Sequence, residues 1–183
     1  MTIVRGGGGS VPVHYYVDDS HYFITAATYQ HRPLLTPDIK DRLAVLLKQV
    51  YTEYGWELLH WVILDTHYHL LAHSRRGRDL TRIINKTHSK AAGWINQARA
   101  PANRGEKSWH NYWDYCPRDE REYQIRLCYL LYNPVKHGYV TDLKDWPWSS
   151  FHQLYRENGR DQVATDFIRY REFRALNLPE DGF

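Results

Sequence analysis

Two histidines separated by a single residue, His67 and His69, open the apolar run HYHLLAH. Side chains alternate across a strand, so on a strand both imidazoles would face the same side, about 7 Å apart along the chain. That spacing lets two imidazole nitrogens converge on one metal ion. His73 shares this face, but it lies four residues beyond His69. The spacing alone does not distinguish a metal-binding pair from packing histidines, because the chain contains 11 histidines.

A predicted helix that ends near Asn133 carries a second pair of polar residues. Tyr129 and Asn133 are four residues apart and are therefore neighbours on one helix face. Tyr132 lies about 100° from Asn133 on the helical wheel. The pattern fits half-exposed tyrosines on an amphipathic helix, and it also fits a phenol nucleophile beside a metal-binding amide. We expect Tyr123, Leu127, Leu130 and Leu131 to face the core, and Glu122, Arg126, Tyr129 and Asn133 to lie on the polar side.

The elements that would position these residues follow from periodicity and turn signals. Strands are predicted over residues 21–29, 56–63, 67–73 and 109–116. Helices are predicted over residues 36–54, 79–96 and 117–133, with a short helix around residues 151–157. The resulting order β, α, ββ, α, β, α predicts an α+β fold in which an antiparallel sheet is sandwiched by helices.

Length and composition indicate one domain and exclude several classes of protein. A chain of 183 residues suits a single core. We expect a flexible leader over residues 1–20, which contains GGGGS, a domain over 21–158 and a polar tail over 159–183. Two cysteines are too few for a disulfide framework, and a closed zinc site needs four protein ligands. The sequence contains no run of about 18 apolar residues, so no membrane span is predicted.

Three separated motifs resemble one family. ILDTHYHLL, YLLYNPVKHGYV and DWPWSSF occur in this order, and together they resemble the REP-associated tyrosine transposases. These are single-tyrosine (Y1) members of the HUH endonuclease superfamily and are related to the IS200/IS605 transposases. The resemblance covers roughly residues 21–151. It implies the HUH, RRM-like version of the α+β fold predicted above.

The resemblance also implies roles for individual residues. His67 and His69 match the histidine pair that binds a divalent metal, Mg²⁺ or Mn²⁺, and Asn133 matches the polar residue that completes the metal site. Tyr129 matches the nucleophile. The chain departs from the family at Asp65-Thr66, where relatives often carry Pro-Asn, which changes a turn and not a ligand.

The function implied is that of a metal-dependent endonuclease and strand transferase for single-stranded DNA. It would act at REP-like hairpins through a covalent 5′-phosphotyrosine, as a monomer or a homodimer. We expect a cytoplasmic, nucleoid-associated protein without a membrane partner. Basic residues that could contact DNA phosphates are Arg75, Arg76, Arg78, Arg82, Lys86 and Lys90. An ordinary solvated basic helix would show the same pattern.

Two other functions stay open at this point. One is a domesticated protein that binds REP-like hairpins without needing to cleave them. The other is a small metal-binding, RNA-associated protein in which the histidine pair is incidental. The aromatic side chains Trp109, Tyr112 and Trp113 could stack on unpaired bases or belong to the core.

Overall fold

The computed structural model describes residues 16–176 and residue 178. Within this part of the chain the long elements are β1 (His21–Thr28), α1 (Pro37–Glu53), β2 (Glu57–Ile63), β3 (His67–His73), α2 (Leu80–Ala98), β4 (Trp109–Tyr115), α3 (Glu120–Lys136) and α4 (Phe151–Arg169). The predicted order of strands and helices is confirmed. None of the helices in this described part is long and apolar enough to cross a membrane.

The four strands form one antiparallel sheet in the order β2-β3-β1-β4. Alternation along β1 separates two cores. Tyr22 and Ile24 face α1 and α2 in the first hydrophobic cluster, whereas Phe23 faces α3 and α4 in the second. The predicted α+β fold, with helices on both faces of the sheet, is therefore confirmed.

Helix α1 begins and ends at the residues that its signals predicted. Pro37 occupies the first position, where a missing N–H costs nothing, and Asp38 follows in the first turn. Gly55 stops the helix in the left-handed conformation, with φ of +71°. Its apolar stripe, which includes Leu43 and Leu47, is fully buried against the sheet.

The proline that follows Asn133 predicted that helix α3 would end there, but the helix does not end at this residue. It continues to Lys136 with Pro134 inside it. Two hydrogen bonds close the helix just after Lys136. They run from Gly138 N to Val135 O (3.0 Å) and from Tyr139 N to Pro134 O (2.9 Å). Gly138 has φ of +71°, as this type of helix end requires. The cap and the burial of Pro134 outweigh the local preference of the residue before proline.

The predicted polar side of α3 is also not exposed. Tyr129 and Asn133 retain 1% and 0% of their accessible surface. The predicted apolar side, with Leu127 and Leu131, is buried as expected. Helix α3 is therefore enclosed from two directions, since its predicted polar side meets the sheet and its apolar side packs with residues of α4.

The chain beyond Phe151 forms a longer element than the short helix predicted around residues 151–157. Helix α4 extends to Arg169, with a break at Gly159, where φ is +77°. Val163 and Phe173 are buried in the second cluster. The described part of the predicted polar tail thus contributes apolar side chains to the core beside α3.

The predicted leader falls largely outside the described residues, which begin at Tyr16. The last residues of that segment are bound to the domain. Val17 exchanges two hydrogen bonds with the Tyr22 hydroxyl, of 2.6 and 3.0 Å. The Asp18 carboxylate accepts a bond from Gly77 N at 2.8 Å. The division of the chain at residues 20 and 158 stays a prediction.

The imidazole of half-buried His88 predicts loss of stability in acid. Desolvation lowers the pKa of this imidazole to about 3, and its Nε2 shares a hydrogen bond of 2.9 Å with the Tyr68 hydroxyl. An unfolded chain binds this proton near the ordinary pKa, about 6.5, so the contribution is complete above that pH and is lost as pH falls towards 3. Between pH 7 and pH 5 we expect about 2 kcal/mol of unfolding free energy to be lost through His88.

Urea unfolding of the wild type and of His88→Gln at the two pH values measures this loss. The wild type should lose about 2 kcal/mol more than the variant. His60, whose pKa burial lowers to about 4, is present in both proteins, so its effect cancels. Equal losses in the two proteins would contradict the prediction.

Candidate active site

Strand β3 brings His67 and His69 to the sheet face that α3 covers. Their ring centres are 5.0 Å apart, and both side chains are buried. Because β3 lies between β2 and β1, it is held by hydrogen bonds along both edges. The two imidazoles therefore project from a well-supported part of the sheet. His73 lies at the far end of β3, 3.5 Å from Asp19, and does not join them.

Helix α3 adds Asn133 to this pair. Its side-chain Oδ1 lies 2.9 Å from His67 Nε2. A carbonyl oxygen only accepts, so the imidazole donates this bond from Nε2. His67 Nδ1 forms a second hydrogen bond, with the Thr66 hydroxyl, at 2.9 Å. The bond between His67 and Asn133 joins the sheet to α3 at the centre of the site.

His69 is the more deeply buried imidazole. Its Nδ1 bonds the Thr25 hydroxyl on β1 at 2.7 Å, whereas its buried Nε2 has no hydrogen-bond partner among the described residues. Burial, followed by the charges of His67, His137 and Lys136, lowers the pKa of His69 well below its ordinary value. The ring is therefore neutral at pH 7, the form in which imidazole binds metals.

Tyr129 lies beside the histidines on the same helix as Asn133. Its ring centre is 5.5 Å from that of His69 and 6.1 Å from that of Phe23. The Lys136 ammonium donates a hydrogen bond to the Tyr129 hydroxyl at 2.9 Å and lies 4.5 Å from the ring centre. Tyr132 takes a different direction and packs on Phe173, with ring centres 5.2 Å apart. The geometry thus brings Tyr129, and not Tyr132, to the histidine pair.

Two neighbours of the site were absent from the sequence-based prediction. Lys136 follows Tyr129 by seven residues, which is about two helical turns, so helical spacing could have indicated it. His137, at the C-terminal cap of α3, places its ring centre 4.9 Å from that of His67. Both side chains are exposed, and exposed basic residues near a helix end are common for other reasons.

The six basic residues predicted to contact DNA do not join this cluster. Three follow the end of β3 that is remote from His67, and three lie on α2, across the sheet. Several are paired with carboxylates, since Arg76 and Arg82 contact Asp79, and Lys86 contacts Glu53. They form a surface separate from the histidine pair.

The donor set resembles an open metal site more than a closed one. Across residues 16–176 and residue 178, no group of three or more His, Cys, Asp or Glu side chains is arranged to hold a metal ion. The third member of this cluster is instead the amide of Asn133, which lies outside those residue types. Two imidazole nitrogens and an amide oxygen suit a divalent ion that keeps coordination positions for other oxygen ligands.

Comparison with known proteins defines the class of this chain. The family model described as "Transposase IS200 like" matches residues 16–129. The chain therefore belongs to the IS200-like transposase family, and it is an enzyme of the single-tyrosine type. The matched region ends at Tyr129, the residue that the geometry places beside the histidine pair.

Individual relatives show which kind of transposase the chain is similar to. The chain is 28% identical over 144 residues to the REP-associated tyrosine transposase of Escherichia coli K12, covering 76% of this chain and 81% of the relative. A Haemophilus influenzae protein that carries the same name provisionally is 29% identical over 140 residues, covering 72% and 80%. A solved REP-associated tyrosine transposase bound to a REP hairpin superposes with a TM-score of 0.65 at 26% identity, covering 79% of this chain and 84% of that one.

Proposed function

We propose that this transposase cleaves and rejoins single-stranded DNA beside REP-like hairpins through a covalent 5′-phosphotyrosine at Tyr129. The observation that carries the proposal is the convergence of His67 and His69 from β3 with Tyr129 and Asn133 from α3. The hairpin as partner is supported by the solved relative, which was bound to a REP hairpin. A protein that only binds hairpins would not need these four residues together.

His67, His69 and Asn133 fit a divalent metal, and transposases of this family generally need one. The buried Nε2 of His69 lacks a partner, and His67 Nε2 and Asn133 Oδ1 already lie within 2.9 Å of each other. Mg²⁺ and Mn²⁺ both accept the water and phosphate oxygens that would complete the coordination, and Mn²⁺ tolerates imidazole better. A bound ion would supply charge stabilisation to the scissile phosphate.

Tyr129 is the nucleophile of the proposed reaction. Its hydroxyl oxygen attacks the phosphorus, an O–P bond forms, and the bond from phosphorus to the 3′ oxygen breaks. The phenol loses its proton, and the departing 3′ oxygen gains one. Because the phosphodiester is exchanged and not hydrolysed, a 3′-hydroxyl can attack the phosphotyrosine in the reverse direction. One tyrosine thus supports both cleavage and strand transfer without ATP.

Lys136 affects this tyrosine in two ways, through its charge and through its position over the ring. Its ammonium group, 2.9 Å from the phenol oxygen, stabilises negative charge there when the proton leaves. It also lies across the face of the Tyr129 ring, whose residue is only 1% exposed. A DNA strand therefore has to shift the end of the Lys136 side chain to reach the hydroxyl, and the ammonium can then pair with the scissile phosphate while it stays beside the phenol oxygen.

The basic residues on α2 and before it, Arg75, Arg76, Arg78, Arg82, Lys86 and Lys90, are proposed to bind phosphates of the hairpin stem. The cationic side chains of Arg76, Arg82 and Lys86 are partly exposed, although Asp79, the partner of both arginines, is buried. The pair of Lys86 with exposed Glu53 contributes about 0–1 kcal/mol, so phosphates can compete for Lys86.

Formation of a covalent complex tests the identity of the nucleophile. Wild-type protein is incubated with a 5′-labelled and a 3′-labelled hairpin oligonucleotide that carries a single-stranded flank, with Mn²⁺ or Mg²⁺. We expect the label on the 3′ side of the break to migrate with the protein in a denaturing gel. Tyr129→Phe should abolish that band, and Tyr132→Phe should retain it.

The competing functions give different results in the same assay. Loss of the band in Tyr132→Phe alone would move the nucleophile to Tyr132. Hairpin binding by the wild type without any covalent band, with either metal, would favour the hairpin-binding protein that does not cleave.

Thermal unfolding tests the metal site without relying on activity. At Mn²⁺ concentrations about 100 times the dissociation constant, binding should add roughly 2.7 kcal/mol, or about 5–10 °C in Tm. His67→Ala and His69→Ala should each lose this increase because they remove a nitrogen ligand. His73→Ala is the matched control, since it lies on the same strand away from the site, and it should keep the full increase. An equal Mn²⁺ effect in all four proteins would contradict the assignment.

Replacement of Lys136 tests its assistance to Tyr129. Lys136→Met should slow covalent-complex formation by roughly 100-fold because it removes the ammonium beside the attacking oxygen. The Mn²⁺-induced increase in Tm should persist, and Lys136→Arg should recover part of the rate. Lys48→Met, which removes an equal charge from the surface of α1, is the control. Equal rates for the Lys136→Met and Lys48→Met proteins would show that Lys136 has no such role.

A further inference from the structure

The aromatic side chains of β4 divide between the two faces of the sheet. Trp109 faces α2 and stacks flat on His88, with ring centres 4.1 Å apart and planes within 1°. Tyr112 faces the same side and bonds Thr81 through its hydroxyl at 3.0 Å. Trp113 lies opposite Thr25, so it shares the face that carries the active site. Trp113 is therefore the member of the three predicted aromatics that lies on the catalytic face.

Trp113 belongs to a row of nearly parallel rings along the edge of the sheet. Its ring centre is 5.7 Å from that of His110, with planes 6° apart. His110 in turn lies 6.5 Å from Tyr29, with planes 16° apart. All three side chains are half-buried and not enclosed. We refer to Tyr29, His110 and Trp113 as the edge row.

The edge row adjoins a cavity beside the active site. A cavity of about 170 Å³, enough for one planar base, is lined by Phe23, Thr25, Trp113, Asp114, Tyr115, Arg126 and Leu178. Two of these residues also contact catalytic groups. The Thr25 hydroxyl bonds His69 at 2.7 Å, and the Phe23 ring lies 6.1 Å from that of Tyr129. A base held in this cavity would contact Phe23 and Thr25, the two residues that connect the cavity to Tyr129 and His69.

Cations flank this surface at both ends. The Lys107 ammonium is 5.0 Å from the centre of the Tyr29 ring. At the other end the Arg126 guanidinium lies 4.1 Å from the Tyr115 ring and 5.2 Å from the Phe23 ring. A row of planar rings with a cation at each end suits single-stranded nucleic acid, whose bases offer stacking faces and whose phosphates are negative.

We propose that the edge row and the adjoining cavity bind the unpaired bases of the DNA strand next to the scissile phosphate. This inference rests on the proposed function, because it assigns the substrate of the same site. Base stacking tolerates any sequence, so the row would hold and orient the strand while other contacts select the hairpin. Trp113 is the central residue, because it belongs both to the row and to the cavity.

Affinity for a short labelled oligonucleotide tests the inference without cleavage. Fluorescence anisotropy with an unstructured 12-nucleotide oligo(dT) is measured in the Tyr129→Phe background. Adding Trp113→Ala should weaken binding by roughly 5- to 150-fold, the equivalent of about 1–3 kcal/mol for one stacked base. Trp113→Phe should recover much of the affinity, since it restores an aromatic face.

Two controls separate stacking from general damage. Trp94→Ala removes a half-buried tryptophan from α2, on the opposite side of the sheet, where it stacks with Arg42 at 4.2 Å, and it should leave oligo(dT) binding unchanged. A blunt hairpin without a single-stranded flank should bind the Trp113→Ala protein as tightly as its parent. If Trp113→Ala does not fold, as judged by thermal unfolding, Tyr29→Ala provides the same comparison at the other end of the row.

Several results would overturn the edge row as a DNA-binding surface without affecting the proposed cleavage. Unchanged oligo(dT) affinity in Trp113→Ala, or equal weakening for oligo(dT) and blunt hairpin, overturns the edge row as a binding surface. A change from dimer to monomer in sedimentation with unchanged DNA affinity would assign this edge to a second copy of the chain and would also overturn it. The proposed cleavage is judged separately, by the covalent band of the protein with intact Tyr129.

Discussion

The hydrogen bond between His67 and Asn133 connects the two elements on which the active site depends. It joins the central part of the sheet to α3, and both partners are buried. A helix that is anchored at Asn133 also fixes Tyr129, which lies one turn earlier on the same face. The relative position of nucleophile and imidazoles is therefore set by packing of α3 on the sheet. A loop would hold such a distance less accurately.

Burial determines the chemical state of the site as well as its geometry. Two imidazoles with ring centres 5.0 Å apart cannot both carry a positive charge in a dry environment at reasonable cost. Removing His69 from water, near His67, His137 and Lys136, keeps the ring neutral, and its Nε2 has no hydrogen-bond partner among the described residues. The site thus has ligands that are ready to bind a cation without first releasing a proton from His69. The same burial limits access to Tyr129, so a movable side chain is needed beside it, and exposed Lys136 meets that need.

Local sequence patterns predicted the parts of the structure that depend on neighbouring residues. The alternation of β3 placed His67 and His69 together because strand geometry has a fixed period of two. The environment of α3 was predicted wrongly because a helical wheel cannot show that a helix is enclosed from two sides. Its end was also wrong, since the cap at Gly138 and the burial of Pro134 outweigh the local rule for residues before proline. The sequence showed the regular spacing of the basic residues on α2. It could not show their distance from the histidines, because that distance depends on which face of the sheet α2 covers.

The catalytic face of the sheet combines two halves with different physical properties. Among the described residues, α3 packs over β2 and β3, where it holds the imidazoles and the nucleophile in buried positions. The half formed by β1 and β4 presents half-buried rings on β4, with Lys107 and the Arg126 side chain of α3 beside them. His69 lies at the boundary, because it sits on β3 and bonds Thr25 on β1. A strand of DNA is flexible and charged, whereas the reacting groups must be rigid and partly desolvated. Placing the reactive groups under the helix and the adaptable surface beside it lets one sheet meet both requirements.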